Sequence, residues 1–376
     1  MKELYILDSS YNPASAGCNR LLAFGLVLQK KGVKITYFYL FPYRNQEKCS
    51  QYLDKLNFVY LWEDSPFKNK YLNTIRSMRK FYKLMKPEIP VYVYSLLNCI
   101  YFLRKKKGIR LYHEYTENPE VVGKIGGLFG KFLYNLYKKT IPQLDGLFLI
   151  TPTLCNMYVN DFGADPNKIV LLNMIVDKER FESAPDFAPP NTISYCGILS
   201  EFKDGVSILI KAFAKVVVSH SEYRLCLIGP FIDRETERKL RTLVTDLKIS
   251  DYVEFAGSVS PENMPALLNA SKILALARPD NIQAKYGFAT KIGEYLMTER
   301  PVVLTKVGSV EDYLQDGVNC ILANPDDEND FADKLLWVIE NYSQAEEIGK
   351  RGKEAVLKYF DSEKETEKIY NCIFKQ

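Results

Sequence analysis

A buried strand, a turn, a loop and a helix follow one another in residues 273–305, which read ILALARPDNIQAKYGFATKIGEYLMTERPVVLT. The apolar run at 273–277 indicates a buried strand, and the Arg-Pro-Asp-Asn that follows it is typical of a turn. Residues 287–290 then lead into a predicted helix over 291–297, and another β-branched run follows it. The loop therefore lies between the carboxyl end of one strand and the amino end of a helix.

The same alternation of short β-rich runs with segments of helical length extends over the whole chain. In the first half, strands are predicted at residues 4–7, 34–39, 58–61, 91–94, 110–113 and 146–150. In the second half, they are predicted at residues 193–197, 223–228, 252–255, 272–277, 302–305 and 320–322. Helices are predicted between several of them, including residues 16–31, 71–85 and 96–107. Strands that alternate with helices of this length indicate parallel sheets with helices on both faces.

A chain of 376 residues is too long for one ordinary hydrophobic core, so two domains are expected. We predict an α/β protein with two Rossmann-like, doubly wound parallel-sheet domains that face a central cleft. The first is expected over residues 1–172 and the second over residues 173–360. Residues 361–376 are predicted to form a C-terminal helix, a candidate to cross back to the first domain. Ligands of such sheets bind beyond the carboxyl ends of the strands, which makes the cleft the expected site.

The composition is that of a globular protein, with 47% apolar and 26% charged residues. The eight cysteines form no C-x-x-C pair, and there are two histidines, so neither a zinc site nor a redox motif is indicated. The N-terminal apolar run is too short for a signal peptide, and the longest apolar stretch falls short of the about 20 residues of a spanning helix. The expected location is therefore the cytoplasm.

Positive charge is concentrated in the first half of the chain. Residues 1–172 carry 25 Lys and Arg against 13 Asp and Glu, whereas the rest carries 25 against 33. A predicted helix within residues 68–86 has an apolar and a basic side, and residues 104–107 add a basic cluster. The apolar side consists of Ile75, Met78, Tyr82 and Met85, and the basic side of Arg76, Arg79, Lys80 and Lys83.

This basic face, beside Trp62, Phe67 and Phe81, predicts peripheral contact with an anionic membrane. A solvated amphipathic helix is the equal alternative. Nucleic acid is not an expected partner, because no recognised binding module accompanies the charge.

The loop at residues 287–290 is a candidate anion site. The start of a helix offers unpaired backbone N–H groups and the positive end of the helix dipole, which suit a diphosphate. Lys291 adds an ammonium group in the first turn, and Glu294 offers a carboxylate to a ribose diol. Taken alone, such a segment is more often a surface helix with solvated charges.

Further strand ends strengthen the prediction of a nucleotide site. The predicted strand at 193–197 ends at Gly197 and precedes Lys203, and the strand at 223–228 is followed by Gly229. Because parallel strands end at the same edge of a sheet, these small residues would leave a crevice lined by backbone.

These residues resemble motifs of the group 1 glycosyltransferases, a large retaining family of GT-B architecture (family four in the usual classification). Asn173 to Asp177 with Phe181 resemble the family's N-G-V-D…F join. Tyr195-Cys196-Gly197 with Lys203 resemble its V-G-R…K-G turn, and residues 288–303 are close to the version in polysaccharide-biosynthesis members. The resemblance covers the chain from about residue 140 onward and is diffuse before it.

The resemblance implies that residues 1–172 bind the acceptor and residues 173–360 the nucleotide sugar, and it implies roles for individual residues. Glu294 matches a glutamate that binds the nucleotide ribose, and Lys203 matches a lysine that holds the donor diphosphate. His113 occupies the place of a residue near the transferred sugar. The implied catalytic residues are His113, Lys203 and Lys291. The implied donor-binding residues are Gly17, Gly197, Gly229, Tyr286, Gly287, Phe288, Ala289, Thr290 and Glu294.

Three positions depart from the family pattern. Tyr286 stands where the first glutamate of the E-x7-E motif is expected, and Ile198 stands where an arginine usually follows Gly197. Gly17 is followed by Cys18 instead of a second glycine. Lys291 is therefore a candidate replacement for the missing phosphate-binding cation.

The resemblance implies a retaining glycosyltransferase that moves a sugar from a UDP- or GDP-sugar to a saccharide or lipid-linked saccharide in polysaccharide biosynthesis. The leaving diphosphate can take the acceptor's proton, so neither a metal nor another cofactor is expected. A non-catalytic glycosyltransferase-like subunit and a nucleotide-sugar epimerase of the same architecture stay open as alternatives. A dehydrogenase is disfavoured because no G-x-G-x-x-G follows a first strand.

Overall fold

Two parallel sheets dominate the computed structural model, which describes residues 1–11, 15–40, 56–61, 70–94, 108–119, 127–182 and 190–375. The chain divides into two compact units. The first consists of Met1–Ile175 together with Ser362–Gln376, and the second of Val176–Asp361. Each unit contains one of the sheets with helices, which confirms the predicted α/β class with two Rossmann-like domains.

The first unit has a seven-stranded sheet in the order β3-β2-β1-β4-β5-β6-β7, with all neighbouring strands parallel. Its strands are β1 (Lys2–Asp8), β2 (Val33–Tyr39), β3 (Asn57–Tyr60), β4 (Val91–Tyr94), β5 (Leu111–Tyr115), β6 (Gly146–Leu149) and β7 (Ile169–Leu171). The strand order reverses between β1 and β4. The carboxyl ends of these two strands therefore form the switch point at which doubly wound sheets bind ligands.

The second unit repeats this topology with six parallel strands in the order β10-β9-β8-β11-β12-β13. The strands are β8 (Thr192–Cys196), β9 (Arg224–Ile228), β10 (Val253–Gly257), β11 (Ile273–Leu276), β12 (Val302–Thr305) and β13 (Ile321–Ala323). Here the order reverses between β8 and β11, so the second switch point lies at Cys196 and Leu276.

Helices cover the sheets, as the alternation in the sequence predicts. In the first unit, the described helices are α1 (Ala16–Lys30), α2 (Lys70–Leu84), α3 (Gly127–Thr140), α4 (Pro152–Phe162) and α14 (Ser362–Phe374). In the second unit, they are α5 (Glu179–Glu182), α6 (Glu201–Asp204), α7 (Val206–Ser219), α8 (Arg234–Asp246), α9 (Met264–Asn269), α10 (Ile282–Tyr286), α11 (Lys291–Met297), α12 (Glu328–Glu340) and α13 (Tyr342–Tyr359).

The predicted strands recur with ends shifted by at most two residues, and the structure adds β7, a strand of three residues that was not predicted. One shift affects a candidate site residue. The strand expected to end at His113 continues to Tyr115, which places His113 inside the sheet instead of at its edge. The helix predicted at residues 96–107 lies outside the described residues.

A buried ion pair fixes α1 to the sheet of the first unit. Arg20 of α1 and Glu114 of β5 are 3% and 1% exposed, and the Arg20 Nε donates to the Glu114 carboxylate. The other two guanidinium nitrogens donate to the carbonyls of Asn173, at 2.5 Å, and Leu172, at 3.0 Å. Because every nitrogen has an acceptor, this buried cation is fully compensated.

The C-terminal helix α14 packs on α1 and completes the core of the first unit. Its residues Ile369 and Ile373 are fully buried in that core. Polar contacts add to the packing, since the Asn173 N–H donates to Glu365 at 2.8 Å and Arg110 donates to the Ile373 carbonyl at 3.1 Å. The last helix therefore belongs to the first unit.

Within the described part of the chain, no helix has both the length and the apolar content that crossing a membrane requires.

We predict that Ile369→Ala destabilises the first unit by about 2–5 kcal/mol, because it leaves a cavity between α14 and α1. Urea unfolding and hydrogen exchange of the α1 amides would measure the loss. Asn371→Ala is the matched control, since Asn371 is exposed on the same helix. Equal stability of the two variants would contradict the docking of α14.

Candidate functional site

Three neighbouring strands of the second unit lead into glycines at the carboxyl edge of the sheet. Gly197 and Gly229 follow β8 and β9, and Gly257 ends β10, with φ values of 154°, 135° and 70°. The Gly229 N–H donates to the Gly257 carbonyl, and the Gly197 N–H to the Ile228 carbonyl, each at 2.8 Å. A Cβ on Gly229 would overlap the carbonyl of Gly197. Glycine at Gly229 therefore lets the ends of β8 and β9 approach each other closely.

Lys203 lies next to this edge on the short helix α6. The helix starts at Ser200, whose hydroxyl accepts from the Lys203 N–H at 3.2 Å, and ends at Gly205 with φ 59°. A Cβ on Gly205 would collide with the carbonyl of Ala277, so the turn holds α6 against the end of β11. Among the described residues, the half-buried Lys203 ammonium has no ion-pair partner. Its charge is thus available to an anion.

Lys291, in contrast, is already paired. Its Nζ lies 2.7 Å from Asp204 Oδ2 and 2.9 Å from the Tyr195 hydroxyl, and its side chain is 14% exposed. The Tyr195 hydroxyl also donates to Asp204, at 2.7 Å. The Lys291 Cε would be 3.0 Å from a Cβ on Gly197, so the lysine packs directly against that glycine. The three side chains form a buried cluster at the switch point of the second sheet.

The charges of this cluster depend on one another. Burial lowers the pKa of the Lys291 ammonium below its ordinary value although Asp204 favours its charged form, and the nearby Lys203 charge lowers it further. Burial alone would raise the pKa of the Asp204 carboxyl, but Lys291 and the hydrogen bonds from Lys291 and Tyr195 bring it below its ordinary value. The Asp204 Oδ1 atom is buried without a hydrogen bond. Lys291 is thus needed to compensate Asp204.

The loop that precedes α11 follows the sequence prediction in outline. Helix α11 begins at Lys291, but Thr290 has helical backbone angles and its side chain caps nothing. Among the described residues, the backbone N–H groups of Ala289 and Thr290 have no acceptor. The Phe288 ring is anchored edge-on against Tyr313, with centroids 5.8 Å apart. The loop therefore presents free amides from a packed position.

The residues before this loop are held to α6. Asn281 caps α10 by accepting from the N–H groups of Gln283 and Ala284, and its Nδ2 donates to the Phe202 carbonyl at 2.5 Å. Tyr286 ends α10 half-buried, and the Gly287 N–H donates to the Gln283 carbonyl at 3.0 Å. The sequence predicted Asn281 only as part of a turn. Its hydrogen bond to the Phe202 carbonyl of α6 brings the loop and Lys203 together.

Glu294 has a partner that the sequence analysis missed. Arg180 of α5 donates to Glu294 Oε1 at 2.9 Å and to the Pro261 carbonyl at 3.1 Å. The two side chains are 18% and 28% exposed, so the pair remains accessible. The other carboxylate oxygen, Oε2, has no donor within the described residues. Arg180 is three residues beyond the motif-like segment Asn173 to Asp177 and directly precedes Phe181, which was the signal available in the sequence.

His113 lies in the core of the first unit. Its ring is fully buried, Nδ1 is 2.9 Å from the Val93 carbonyl and Nε2 is 3.2 Å from the Tyr137 hydroxyl. Burial lowers the pKa of His113 to about 4, which keeps the ring neutral. Because β5 runs two residues past His113, the ring has no exposed surface. Its predicted catalytic role stays a prediction, and this geometry is that of a residue which packs and positions β4 and β5.

Gly17 lies in the first turn of α1, against the ring of Tyr94. A Cβ there would come within 2.7 Å of the Tyr94 hydroxyl, so a larger residue would push α1 away from the end of β4. Gly17 and His113 belong to the first unit, and the other predicted site residues belong to the second. Within the second unit, the structure brings Gly197, Gly229, Lys203 and Lys291 together with the loop at 286–290.

The basic helix α2 exposes Arg76, Arg79 and Lys83 but differs from the prediction in its apolar residues. Met78 and Met85 are buried as expected, whereas Ile75 is 41% exposed and Phe81 is fully buried. Phe81 therefore cannot contact a membrane surface. Trp62, Phe67 and the cluster at 104–107 lie outside the described residues. In the described part of the chain, no three His, Cys, Asp or Glu side chains are grouped to hold a metal ion.

Comparison with known proteins relates this geometry to a family. Residues 190–341 match the family model described as Glycosyl transferases group 1. An uncharacterized glycosyltransferase of Methanocaldococcus jannaschii is 22% identical over 79% of this chain and 83% of its own. The trehalose synthase of Thermococcus litoralis is 27% identical over 45% of this chain and 40% of its own, so the chain spans less than half of that relative.

Solved structures share the fold over the full chain. HepE of Anabaena in complex with UDP and glucose superposes with a TM-score of 0.80 at 15% identity, covering 100% of both chains. The sucrose-phosphate synthase of Thermosynechococcus elongatus superposes with a TM-score of 0.79 at 16% identity, with the same coverage. Both solved structures share the two-sheet GT-B architecture with this chain. The chain is therefore a glycosyltransferase of GT-B fold, and its residues 190–341 match the group 1 family.

Proposed function

We propose that this chain is a retaining glycosyltransferase which transfers a sugar from a nucleoside-diphosphate sugar to a saccharide or lipid-linked saccharide acceptor. The donor diphosphate lies at the carboxyl edge of the second sheet, between Gly197, Gly229 and the loop at 287–290. UDP is the first nucleotide to test, because the neighbour HepE was solved with UDP-glucose; GDP is the second.

The observation that carries this proposal is the Lys203 ammonium, unpaired among the described residues, at the carboxyl edge of the second sheet. Gly197 and Gly229 bring the ends of β8 and β9 into close contact at this edge, since a Cβ on Gly229 would overlap the Gly197 carbonyl. The free amides of Ala289 and Thr290 add neutral donors. An ammonium and several backbone amides are the groups that stabilise a diphosphate dianion.

The same groups would stabilise the leaving group during transfer. The bond between the anomeric carbon and the diphosphate oxygen breaks, and the acceptor hydroxyl oxygen bonds to that carbon on the same face. The acceptor's proton goes to the departing diphosphate oxygen. Lys203 and the amides are already oriented toward the growing negative charge, and this preorganisation lowers the barrier. We propose that this set acts without a metal or another cofactor.

Glu294 fits the ribose of the donor. Arg180 occupies only one of its carboxylate oxygens, which leaves Oε2 to accept from a ribose hydroxyl. Arg180 also fixes the carboxylate by its second contact with the Pro261 carbonyl. Lys291 has a different position, because Asp204 already takes its charge. It supports the site by packing against Gly197. A direct contact of Lys291 with the diphosphate is tested by the double variant Lys291→Met/Asp204→Asn.

We also propose that the first unit contacts an anionic membrane through α2, which suits a lipid-linked acceptor in polysaccharide or glycoconjugate biosynthesis. Arg79 and Lys83 are exposed on this helix, and the apolar side chains of Ile75 and Leu84 are 41% and 48% exposed beside them. Exposed apolar side chains flanked by cations favour the headgroup region of an anionic bilayer.

Nucleotide release from a panel of UDP- and GDP-sugars tests the main proposal. We expect wild-type protein to release nucleotide from one of them slowly with water and faster with glycosides. Lys203→Ala should lower kcat/KM for that donor by about 10²–10³-fold, the effect of removing one stabilising donor from a transition state. Retained anomeric configuration in the product, read by NMR, is part of the expected result.

Lys211→Ala is the control for this variant. Lys211 is on the adjacent helix α7, is 44% exposed, and approaches only Glu328, at 4.0 Å. Its loss should leave the donor kinetics unchanged. Equal activity of Lys203→Ala and Lys211→Ala would contradict the assigned diphosphate site. A change of the sugar without nucleotide release would show an epimerase instead.

For Lys291, we predict that Lys291→Met costs about 3–5 kcal/mol of stability, because it leaves Asp204 buried and uncompensated. Adding Asp204→Asn should restore most of that loss in urea unfolding. The double variant then isolates the catalytic role. If its donor turnover equals that of the wild type, Lys291 has no direct role in catalysis.

Vesicle flotation tests the membrane contact. Wild-type protein should float with vesicles that contain phosphatidylglycerol at low salt, and Arg79→Glu/Lys83→Glu should bind much more weakly, since each cation contributes about 1 kcal/mol near such a surface. Lys350→Glu, an exposed change in the second unit, should bind like the wild type. Absence of wild-type binding at low salt would contradict the contact.

A further inference from the structure

Asp8 ends the first strand of the first unit, at the switch point of that sheet. Its main-chain neighbour on β2 is Tyr39. On the other side, Leu7 pairs with Val93 of β4, and Tyr94 pairs in turn with Glu114 of β5. Asp8 and Glu114 therefore lie at corresponding levels of the carboxyl edge, separated by one strand. No motif drew attention to Asp8 in the sequence.

The buried charges at this edge do not balance. Two carboxylates, Asp8 and Glu114, are 7% and 1% exposed, and one guanidinium, Arg20, is 3% exposed. One Arg20 nitrogen donates to Glu114, and the other two donate to the carbonyls of Leu172 and Asn173. The Tyr92 hydroxyl supplies Glu114 with a second donor. Glu114 is thus compensated, whereas Asp8 has no cation among the described residues.

The hydrogen bonds of Asp8 involve one oxygen only. Oδ1 accepts from the Ser9 N–H at 2.7 Å and from the Ser9 hydroxyl at 3.5 Å. The second oxygen, Oδ2, receives no donor from the part of the chain that the structure describes. A carboxylate that is more than nine-tenths buried and lacks a protein donor at one oxygen costs stability, unless water or a ligand supplies that donor.

Burial raises the pKa of Asp8 to about 7, with the Ser9 hydrogen bonds opposing and the Glu114 charge adding to the rise. The ionisable groups that face it are Glu114 of β5, Tyr94 of β4 and Tyr39 of β2. Burial also raises the pKa of both tyrosines, so they stay neutral. Asp8 therefore changes charge near neutral pH.

Hydroxyl groups lie at the end of β4, the strand next to Asp8 in the sheet. Gly17 packs α1 closely on Tyr94, whose hydroxyl is 3.5 Å from the Thr116 hydroxyl. Hydroxyls and a carboxylate at a switch point suit a polyhydroxylated ligand, because each can exchange hydrogen bonds with sugar hydroxyls.

We propose that Asp8 is an acceptor-binding residue, whose Oδ2 accepts a hydrogen bond from a hydroxyl of the saccharide acceptor. This inference rests on the proposed function. Asp8 keeps its charge throughout transfer, since the acceptor's proton goes to the diphosphate. It holds the acceptor and orients the attacking oxygen.

The role has a definite pH dependence. The ionised carboxylate is the stronger acceptor, so use of the saccharide improves as pH rises through about 7, the pKa of Asp8. Folding responds in the opposite direction. A carboxyl with a raised pKa favours the folded state in its protonated form, so this contribution is lost as pH rises from the unfolded pKa toward 7.

The test compares Asp8→Asn with Asp145→Asn in the full-length protein. Asp145 is in the same unit and accepts from the Leu111 N–H at 2.7 Å at the opposite edge of the sheet. The donor is the sugar nucleotide that wild-type protein hydrolyses fastest, and the acceptors are a panel of p-nitrophenyl and methyl glycosides. UDP or GDP binding and the thermal midpoint at pH 8 are measured in parallel.

We expect Asp8→Asn to lower kcat/KM for the glycoside by about 10- to 100-fold, as for loss of a hydrogen bond to a charged group, without weakening nucleotide binding. The acidic limb of the acceptor pH profile should disappear, and the midpoint at pH 8 should rise by about 2–4 °C. Asp145→Asn should change none of the acceptor kinetics.

Three results would overturn the inference. Acceptor kinetics of Asp8→Asn equal to those of the wild type would show that Asp8 does not bind the acceptor. If Asp8→Asn lost donor hydrolysis together with transfer, Asp8 would instead bind the donor or stabilise the folded protein. A wild-type protein that hydrolyses donor but uses no glycoside would contradict a saccharide ligand. Absence of donor hydrolysis in the wild type would instead contradict the proposed function.

Discussion

The close contact between Gly197 and Gly229 is the constraint on which the proposed donor site depends. It requires glycine on two neighbouring strands, because a Cβ on Gly229 would overlap the Gly197 carbonyl. Lys291 packs against the same Gly197 and compensates the charge of Asp204. Asp204 directly follows Lys203 in α6. Closely packed strand ends, a buried ion pair and an available ammonium are therefore parts of one arrangement. The chemistry of the site follows from this packing more than from any single reactive group.

Electrostatic compensation distinguishes the charged residues at the two sheet edges. Arg20 with Glu114 and Lys291 with Asp204 are buried pairs whose members satisfy one another. Lys203 and Asp8 have no such partner among the described residues. Buried or half-buried charges without partners are costly, and they concentrate where a ligand completes the set. The Lys203 ammonium in the second unit thus favours a diphosphate ligand. The Asp8 carboxylate in the first unit favours a hydroxylated acceptor.

The sequence predicted the fold well because the apolar runs of parallel strands and the helical segments between them are strong local signals. Helix α11 begins at Lys291 as predicted, and the glycines at 197 and 229 lie at strand ends as expected. The sequence could not show which charges pair, since Lys291 and Asp204 are 87 residues apart. It likewise missed Arg180 beside Glu294 and placed His113 at a strand end, because strand ends are set by tertiary pairing. The sequence could not indicate Asp8, because only the strand order places this residue at the switch point.

Titration calorimetry with nucleotides and nucleosides tests the central claim, that this edge of the second unit holds a diphosphate. UDP or GDP should bind at least about 100-fold more tightly than the corresponding nucleoside, since the ammonium and amides contact only the phosphates. Most of that difference should vanish when the Lys203 charge is removed, while nucleoside binding stays the same. Equal affinity for nucleotide and nucleoside, or a difference that survives the loss of Lys203, would contradict this account.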